Sequence, residues 1–217
     1  MKKNFFFLSC LVILTACNNR NNSSGPAEVA ETIKVRDIEN GSFNELFTEI
    51  KANEITEDVF KLVGEDFTVI TSGNESDYNS MLAGWGGWGV LFNKPSTWCF
   101  LRANRYTLEY IKKEHTYTMA YFDEPYKDQI MIFGTQSGRD SDKMKESALH
   151  PIATPSGSMA FKEAKLIIEC KLTEITTVSP EDFFTVEGKE FVSEAYREAR
   201  DYHKIVFGEI VSVWQAK

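Results

Sequence analysis

Cysteine, histidine and basic runs are scarce in this sequence, and each scarcity closes off a class of function. Four cysteines among 217 residues are too few for a disulfide scaffold, and no Cys-x-x-Cys pair is present to build a zinc ribbon. His115, His150 and His203 have no metal-ligand spacing to one another, so no metal is expected. Lys and Arg number 24 against 32 Asp and Glu, a formal charge of −8 with no clustered basic stretch. That balance argues against nucleic acid as the main partner. Ser137 and Ser158 lack a nucleophile context such as Gly-x-Ser-x-Gly. What the chain does have is 42% hydrophobic and 13% aromatic residues, enough for a packed core and too much for wholesale disorder. Its length suits one domain with extras.

An apolar stretch from Phe5 to Leu14 follows Met1-Lys2-Lys3. At about ten residues it is too short to span a bilayer core of about 30 Å. It ends in Leu14-Thr15-Ala16-Cys17, which resembles a bacterial lipobox. Residues 1–16 are therefore expected to be a lipoprotein signal peptide and Cys17 to carry lipid, so that the protein is anchored rather than spanning. The alternative is an ordinary signal peptide with a chance cysteine. Asn18 to Pro26 is polar and low in complexity, and residues 17–41 are expected to form a tether to a folded domain over 42–217. Asn18 gives no strong retention signal, so the expected address is the outer membrane, facing the periplasm. Cys10 and Cys17 belong to the export signal. Cys99 and Cys170, in apolar strand-like runs, are expected to be buried small hydrophobes.

Hydrophobic periodicity and turn residues organise the rest. Phe43 to Ile50 is mixed and includes a first strand. Thr56 to Gly64 predicts one short helix with Thr56 as its cap, then Phe67 to Thr71 a strand and Ser72 to Glu75 a turn. Thr97 to Leu101 reads as a strand, Thr107 to Lys113 as a helix and Thr116 to Phe122 as a strand. Tyr126 to Phe133 and Asp142 to Leu149 read as short helices. Ala164 to Leu172 and Lys204 to Trp214 read as the last strands. Many strands, few short helices and no regular βα alternation predict a mainly β, antiparallel barrel with helical insertions.

Gly84-Trp85-Gly86-Gly87-Trp88-Gly89 contains the letters of a dinucleotide-binding fingerprint. The segment after it, Val90 to Pro95, is no helix, so the context that the fingerprint requires is missing. On residue types alone the stretch suits two readings equally. Glycine and tryptophan can offer a flat stacking face, or they can form a glycine-kinked barrel strand with tryptophan in the core. Arg102 and Arg105, taken alone, suit surface ion pairs, and His203 alone suits a structural histidine.

The order of short motifs resembles the flavin reductase-like, FMN-binding split-barrel family, especially its flavoredoxin-like branch. The motifs are Tyr78 to Gly86, Asn93-Lys94-Pro95, Arg102 to Thr107, Ser137 to Lys143, Ala164 to Cys170, and Asp201 to Lys204 before Gly208-Glu209-Ile210. They cover the chain from about Phe43 to Trp214. The resemblance implies a Greek-key split barrel, a homodimer, and FMN held non-covalently. It aligns Asn79, Met81, Ala83, Gly84 and Trp85 with the segment along the flavin ring. Arg102, Arg105, Tyr106 and Thr107 align with the segment near the FMN phosphate, where guanidinium groups and helix N-terminal amides suit an anion. Lys143 adds a cation beside the cofactor. His203 matches a ring-side histidine with a catalytic role, ordering a nicotinamide or tuning flavin protonation.

Three functions are open at this point. The first is an FMN-dependent oxidoreductase passing electrons to a flavin, a metal chelate or a protein, with NAD(P)H as a possible donor. The second is an electron-transfer flavoprotein served by a redox protein partner. The third is an envelope binding module without FMN.

Overall fold

The computed structural model describes residues 38–197 and 200–217. The expected signal peptide, lipidated Cys17 and most of the expected tether (residues 1–37) lie outside the described residues. The strands are β1 (Phe47–Ile50), β2 (Thr68–Asn74), β3 (Asp77–Ala83), β4 (Gly86–Leu91), β5 (Lys94–Arg102), β6 (Thr116–Tyr121), β7 (Pro151–Ala153), β8 (Met159–Phe161), β9 (Leu166–Thr177) and β10 (His203–Ala216). The α-helices are short: α1 (Phe43–Leu46), α2 (Val59–Lys61), α3 (Tyr106–Glu114), α4 (Lys127–Thr135), α5 (Lys143–Glu146) and α6 (Val186–Ala195).

All strand pairs are antiparallel. β7 and β8 form a separate hairpin, and the main sheet runs β3-β2-β6-β9-β10-β5-β4. β10 is long enough to serve two neighbours along one edge, β5 from His203 to Glu209 and β1 from Val213 to Ala216. β3 and β4 end the order on opposite sides, yet only Gly84 and Trp85 separate them in the chain. Three Cα-to-Cα steps span at most about 11 Å, so the sheet must curl until its ends nearly meet. Among the described residues no ladder joins them, which makes the barrel a split one. Gly86 makes this corner with a φ of +153°, and a Cβ there would stand 2.3 Å from the Trp98 carbonyl oxygen.

The alternation of side chains fills two cores, one on each face of the sheet. Ile70, Met119, Tyr121, Leu166 and Ile168 point into the barrel with Cys99 and Cys170. Their neighbours Val69, Ala120 and Ile167 point outward, against Phe133 of α4, Phe161 and Trp214. Both faces of β6 and β9 are covered, which is why these strands read as nearly continuous apolar runs. Cys99 and Cys170 are buried and free, as expected, and burial pushes both thiols well up, Cys170 to about 12.

Several local expectations are corrected. Ser72 to Asn74 continue β2 rather than turning, because they pair with Asn79 to Asp77, and the turn falls on Glu75 and Ser76. The helix expected over Thr56 to Gly64 shrinks to α2, followed by a wider turn over Leu62–Asp66. Its cap is Asp58, not Thr56: Oδ1 accepts from the Phe60 amide at 2.9 Å. The helix expected over Asp142 to Leu149 stops at Glu146, and the chain leaves it through Ala148 at a φ of +53°. The glycine-rich β4, the polar β3, β7, β8 and α6 carry too weak a periodicity to predict.

Candidate functional site

Two cavities, of about 320 and about 260 Å³, share a wall at Met81 and Arg105. Alternation along β3 puts Asn79, Met81 and Ala83 on one face of the strand, and all three are buried. Met81 contributes to both cavities, while Leu82, Ala83, Gly84 and Trp85 line only the smaller. A larger cavity of about 500 Å³ beside β1 and β10 brings together none of the candidate residues.

The first cavity is polar. Arg105 caps α3 with an extended backbone and no side-chain cap bond; the Leu108 amide donates to the Arg105 carbonyl at 3.1 Å, while the Tyr106 and Thr107 amides precede the first helical bond. Tyr106 and Thr107 form its first turn, and Thr107 is wholly buried. Asn79 Nδ2 donates to Thr107 Oγ1 at 2.6 Å, fastening β3 to the start of α3. The opposite wall is the loop between α4 and α5, carrying Gln136, Ser137, Arg139 and Asp140. Gly138 lets this loop press down, since a Cβ there would stand 2.1 Å from Asn79 Oδ1 and 3.5 Å from Lys143 Cε. Arg139 latches the loop to α3: it donates to the Asn104 carbonyl at 3.0 Å, pairs with Glu109 and stacks 4.5 Å over the Tyr106 ring.

Lys143 opens α5 at the bottom of this cavity and is 3% exposed. Its ammonium donates to the Gln136 carbonyl at 3.4 Å, and among the described residues neither it nor Arg105 is paired with a carboxylate. Burial, and then the neighbouring Arg105 charge, push the Lys143 pKa down to about 8. A buried cation without a counter-ion is costly. Two cations beside a helix N-terminus compensate an anion rather than each other.

The second cavity is aromatic. Trp85, 45% exposed, lies 4.9 Å from the His203 ring, 5.7 Å from Phe191 and 6.3 Å from Phe100, centroid to centroid. Trp88, by contrast, packs against the barrel core, 5.9 Å from Tyr121. The two tryptophans thus divide the two readings that residue types left open. His203 is half-buried at the start of β10, opposite Arg102 of β5. Burial first, and the Arg102 charge second, push its pKa down to about 4, so the imidazole is neutral near pH 7.

Arg102, expected in the same segment as Arg105, is held in an ion pair. It lines the second cavity and not the first. Its guanidinium donates to Asp201 Oδ1 at 2.8 Å and to the Ala195 carbonyl at 3.0 Å, and lies 5.3 Å over the Tyr196 ring. Arg105 lines both cavities and so shares the second with Arg102, whose charge is already paired with Asp201. Phe191 and Tyr196 surround the ring-side residues but carry no recognisable signal of their own, whereas Gly138, Arg139 and Asp201 stand within motifs quoted from the sequence. Among the described residues no group of His, Cys, Asp and Glu could hold a metal ion, and no helix is long and apolar enough to cross a membrane.

An antiparallel split barrel with a cation-rich cavity joined to an aromatic one along β3 defines a class of ligand-binding barrel. Residues 61–217 match the flavin reductase like domain, and the chain belongs to that family. The fold is shared with the FMN-binding protein from Thermus thermophilus with bound 1-cyclohex-2-enone, 20% identical over 69% of each chain with a TM-score of 0.53. It is shared with flavoredoxin from Methanosarcina acetivorans, 18% identical over 69% of this chain and 68% of that one, TM-score 0.53. Flavoredoxin of Desulfovibrio vulgaris (Miyazaki F) is 19% identical over 76% and 75%, TM-score 0.52. No protein of curated function matches the chain.

Proposed function

We propose that the protein is an FMN-dependent oxidoreductase of the flavin reductase type, holding FMN non-covalently with its phosphate at Arg105 and Lys143 and its ring toward Trp85. The observation that carries this reading is the buried Lys143 ammonium, which has Arg105 beside it and, among the described residues, no carboxylate in ion-pair contact with either. A phosphate supplies the missing charge and accepts from the first amides of α3. The wall shared at Met81 and Arg105 gives one ligand access to both cavities. FMN held there supplies the redox centre, while the chain supplies position and charge. Asn79 and Thr107 fix β3 against α3, so that the ring and phosphate ends keep their spacing. Trp85 covers apolar ring surface, and His203 offers an uncharged imidazole at the ring side.

Other parts of the reading rest on sequence. The lipobox-like Leu14 to Cys17 supports anchoring at the cell envelope through lipid on Cys17. The family resemblance supports a homodimer. The net charge of −8 favours a second reading, electron transfer by docking on a basic redox partner.

The test is the visible spectrum of the purified protein reconstituted with FMN, followed without oxygen as NADH, NADPH and then dithionite are added. A bound-flavin band bleached by a nicotinamide supports the reductase. A band that persists until dithionite favours the electron-transfer reading. No bound flavin after reconstitution overturns both.

A further inference from the structure

Tyr196 ends α6 and is buried. Its hydroxyl is hydrogen-bonded to His203 Nδ1, and its ring lies 5.6 Å from the His203 ring and 5.0 Å from Tyr202. Arg102 sits over the same ring at 5.3 Å, itself fixed by Asp201 and by the Ala195 carbonyl.

The direction of the bond follows from the hydrogens available. Burial pushes the Tyr196 pKa up, so the phenol keeps its proton. His203 is neutral near pH 7, so one ring nitrogen donates and the other accepts. If Nδ1 carried the hydrogen, it would donate to the phenol oxygen, and the buried phenol hydrogen would be left without a partner among the described residues. If the phenol donates to Nδ1, both groups are satisfied and the imidazole hydrogen sits on Nε2. The charged groups around the imidazole are Arg102 and Asp201, which pair with each other, and Arg105.

We propose that Tyr196 is a positioning residue that fixes His203 as the Nε2–H tautomer, so that the ring-side cavity presents a directed hydrogen-bond donor. The cavity then favours a ligand with an acceptor atom, such as a carbonyl or amide oxygen, next to Trp85. The value of that donor to the chemistry rests on the FMN reading above; the tautomer itself does not.

The test separates the two. Protein labelled with 15N at histidine is examined by long-range 1H–15N NMR near pH 7 without FMN, and the His203 signals are assigned by their loss in His203→Gln. The expected spectrum has a protonated Nε2 and an Nδ1 shifted upfield as a hydrogen-bond acceptor. Tyr196→Phe keeps the ring under Arg102 and removes only the hydroxyl, so Nδ1 should lose that upfield shift. FMN binding, titrated in parallel, should survive, because Arg105 and Lys143 are untouched, so that a change at Nδ1 is not the mark of an unfolded site. A wild-type Nδ1–H overturns the proposal, as does an Nδ1 signal that Tyr196→Phe leaves in place. If Tyr196→Phe does not fold, the wild-type signals decide alone. An Nε2–H tautomer in a protein that binds no FMN upholds this inference and sinks only the cofactor reading.

Discussion

Asn79 and Thr107, 28 positions apart, meet in a 2.6 Å hydrogen bond with both side chains buried. The bond sets the distance between the strand that lines both cavities and the helix whose N-terminus faces the polar one. Replacing Thr107 by Val keeps the shape but leaves the Asn79 amide hydrogen unsatisfied. The expected cost is about 1–3 kcal/mol of folding stability, read as a lower urea midpoint. FMN affinity should fall as well, because the start of α3 loses its fastening to β3. A variant with wild-type stability and affinity would show that the contact fixes nothing.

Lys143→Met should move stability and affinity in opposite directions. Removing a buried cation that has no ion-pair partner among the described residues stabilises the FMN-free protein, while FMN binding loses a charge-assisted contact of about 1.5–3 kcal/mol, roughly ten- to a hundredfold in Kd. The pH dependence has a definite sign. The Lys143 pKa is about 8 in the fold against 10.5 for a free lysine. Between those values the unfolded chain holds the proton and the folded one does not, so the stability of the FMN-free protein rises with pH across that window. Lys143→Met should abolish that rise, and wild-type FMN affinity should fall above pH 8 as the ammonium is lost. Urea melts and FMN titrations across the window check both.

Gly138→Ala tests how closely the loop between α4 and α5 seals the polar cavity. A Cβ 2.1 Å from Asn79 Oδ1 cannot be accommodated without moving the loop or the asparagine. The expected loss is about 1–3 kcal/mol, as for other overpacked sites. It should fall mainly on FMN binding, because the loop lies at the edge of the fold rather than in either core. Isothermal titration with FMN beside a thermal melt separates the two effects, and an unchanged Kd would place the loop away from the ligand.

The parts of this architecture that the amino-acid order reveals are those where local pattern and burial agree. Thr116 to Phe122 and Ala164 to Leu172 are buried on both faces, so their apolar runs announce β6 and β9 directly. β4 hides behind four residues of glycine and tryptophan, because its register depends on the Gly86 corner rather than on alternation. β3 hides because Tyr78, Asn79 and Ser80 are polar, Asn79 bonding to Thr107 of α3 and Ser80 to Thr71 across the sheet at 2.8 Å. The candidate site shows the same division. Arg105, Thr107 and Lys143 stand in recognisable motifs, but the missing counter-ion that gives Lys143 its meaning exists only after the loop through Gly138 has folded over it. Tyr196, at the end of α6, and His203, at the start of β10, touch in a way no spacing rule encodes.

The two arginines of the segment from Arg102 to Thr107 should separate in experiment, because Arg102 is held in an ion pair with Asp201 and Arg105 is in none among the described residues. Arg105→Ala removes half of the positive charge beside the proposed phosphate position, and FMN Kd should rise roughly ten- to a hundredfold, the worth of a charge-assisted contact. Arg102→Ala acts elsewhere. It removes the charge that, after burial, does most to hold the His203 pKa at about 4, and it leaves Asp201 unpaired nearby. The His203 pKa should therefore rise, while staying below the ordinary 6.5 because the burial remains. In the wild type the unfolded chain binds the His203 proton before the folded one does, so stability falls as pH drops from 6.5 to 4. In Arg102→Ala that window narrows from its lower end. An NMR titration of His203 reads the pKa, and acid denaturation reads the stability. If His203 titrates unchanged without Arg102, the electrostatic link is absent. If Arg102→Ala loses FMN as strongly as Arg105→Ala, the phosphate lies nearer Arg102 than the ion pair with Asp201 indicates.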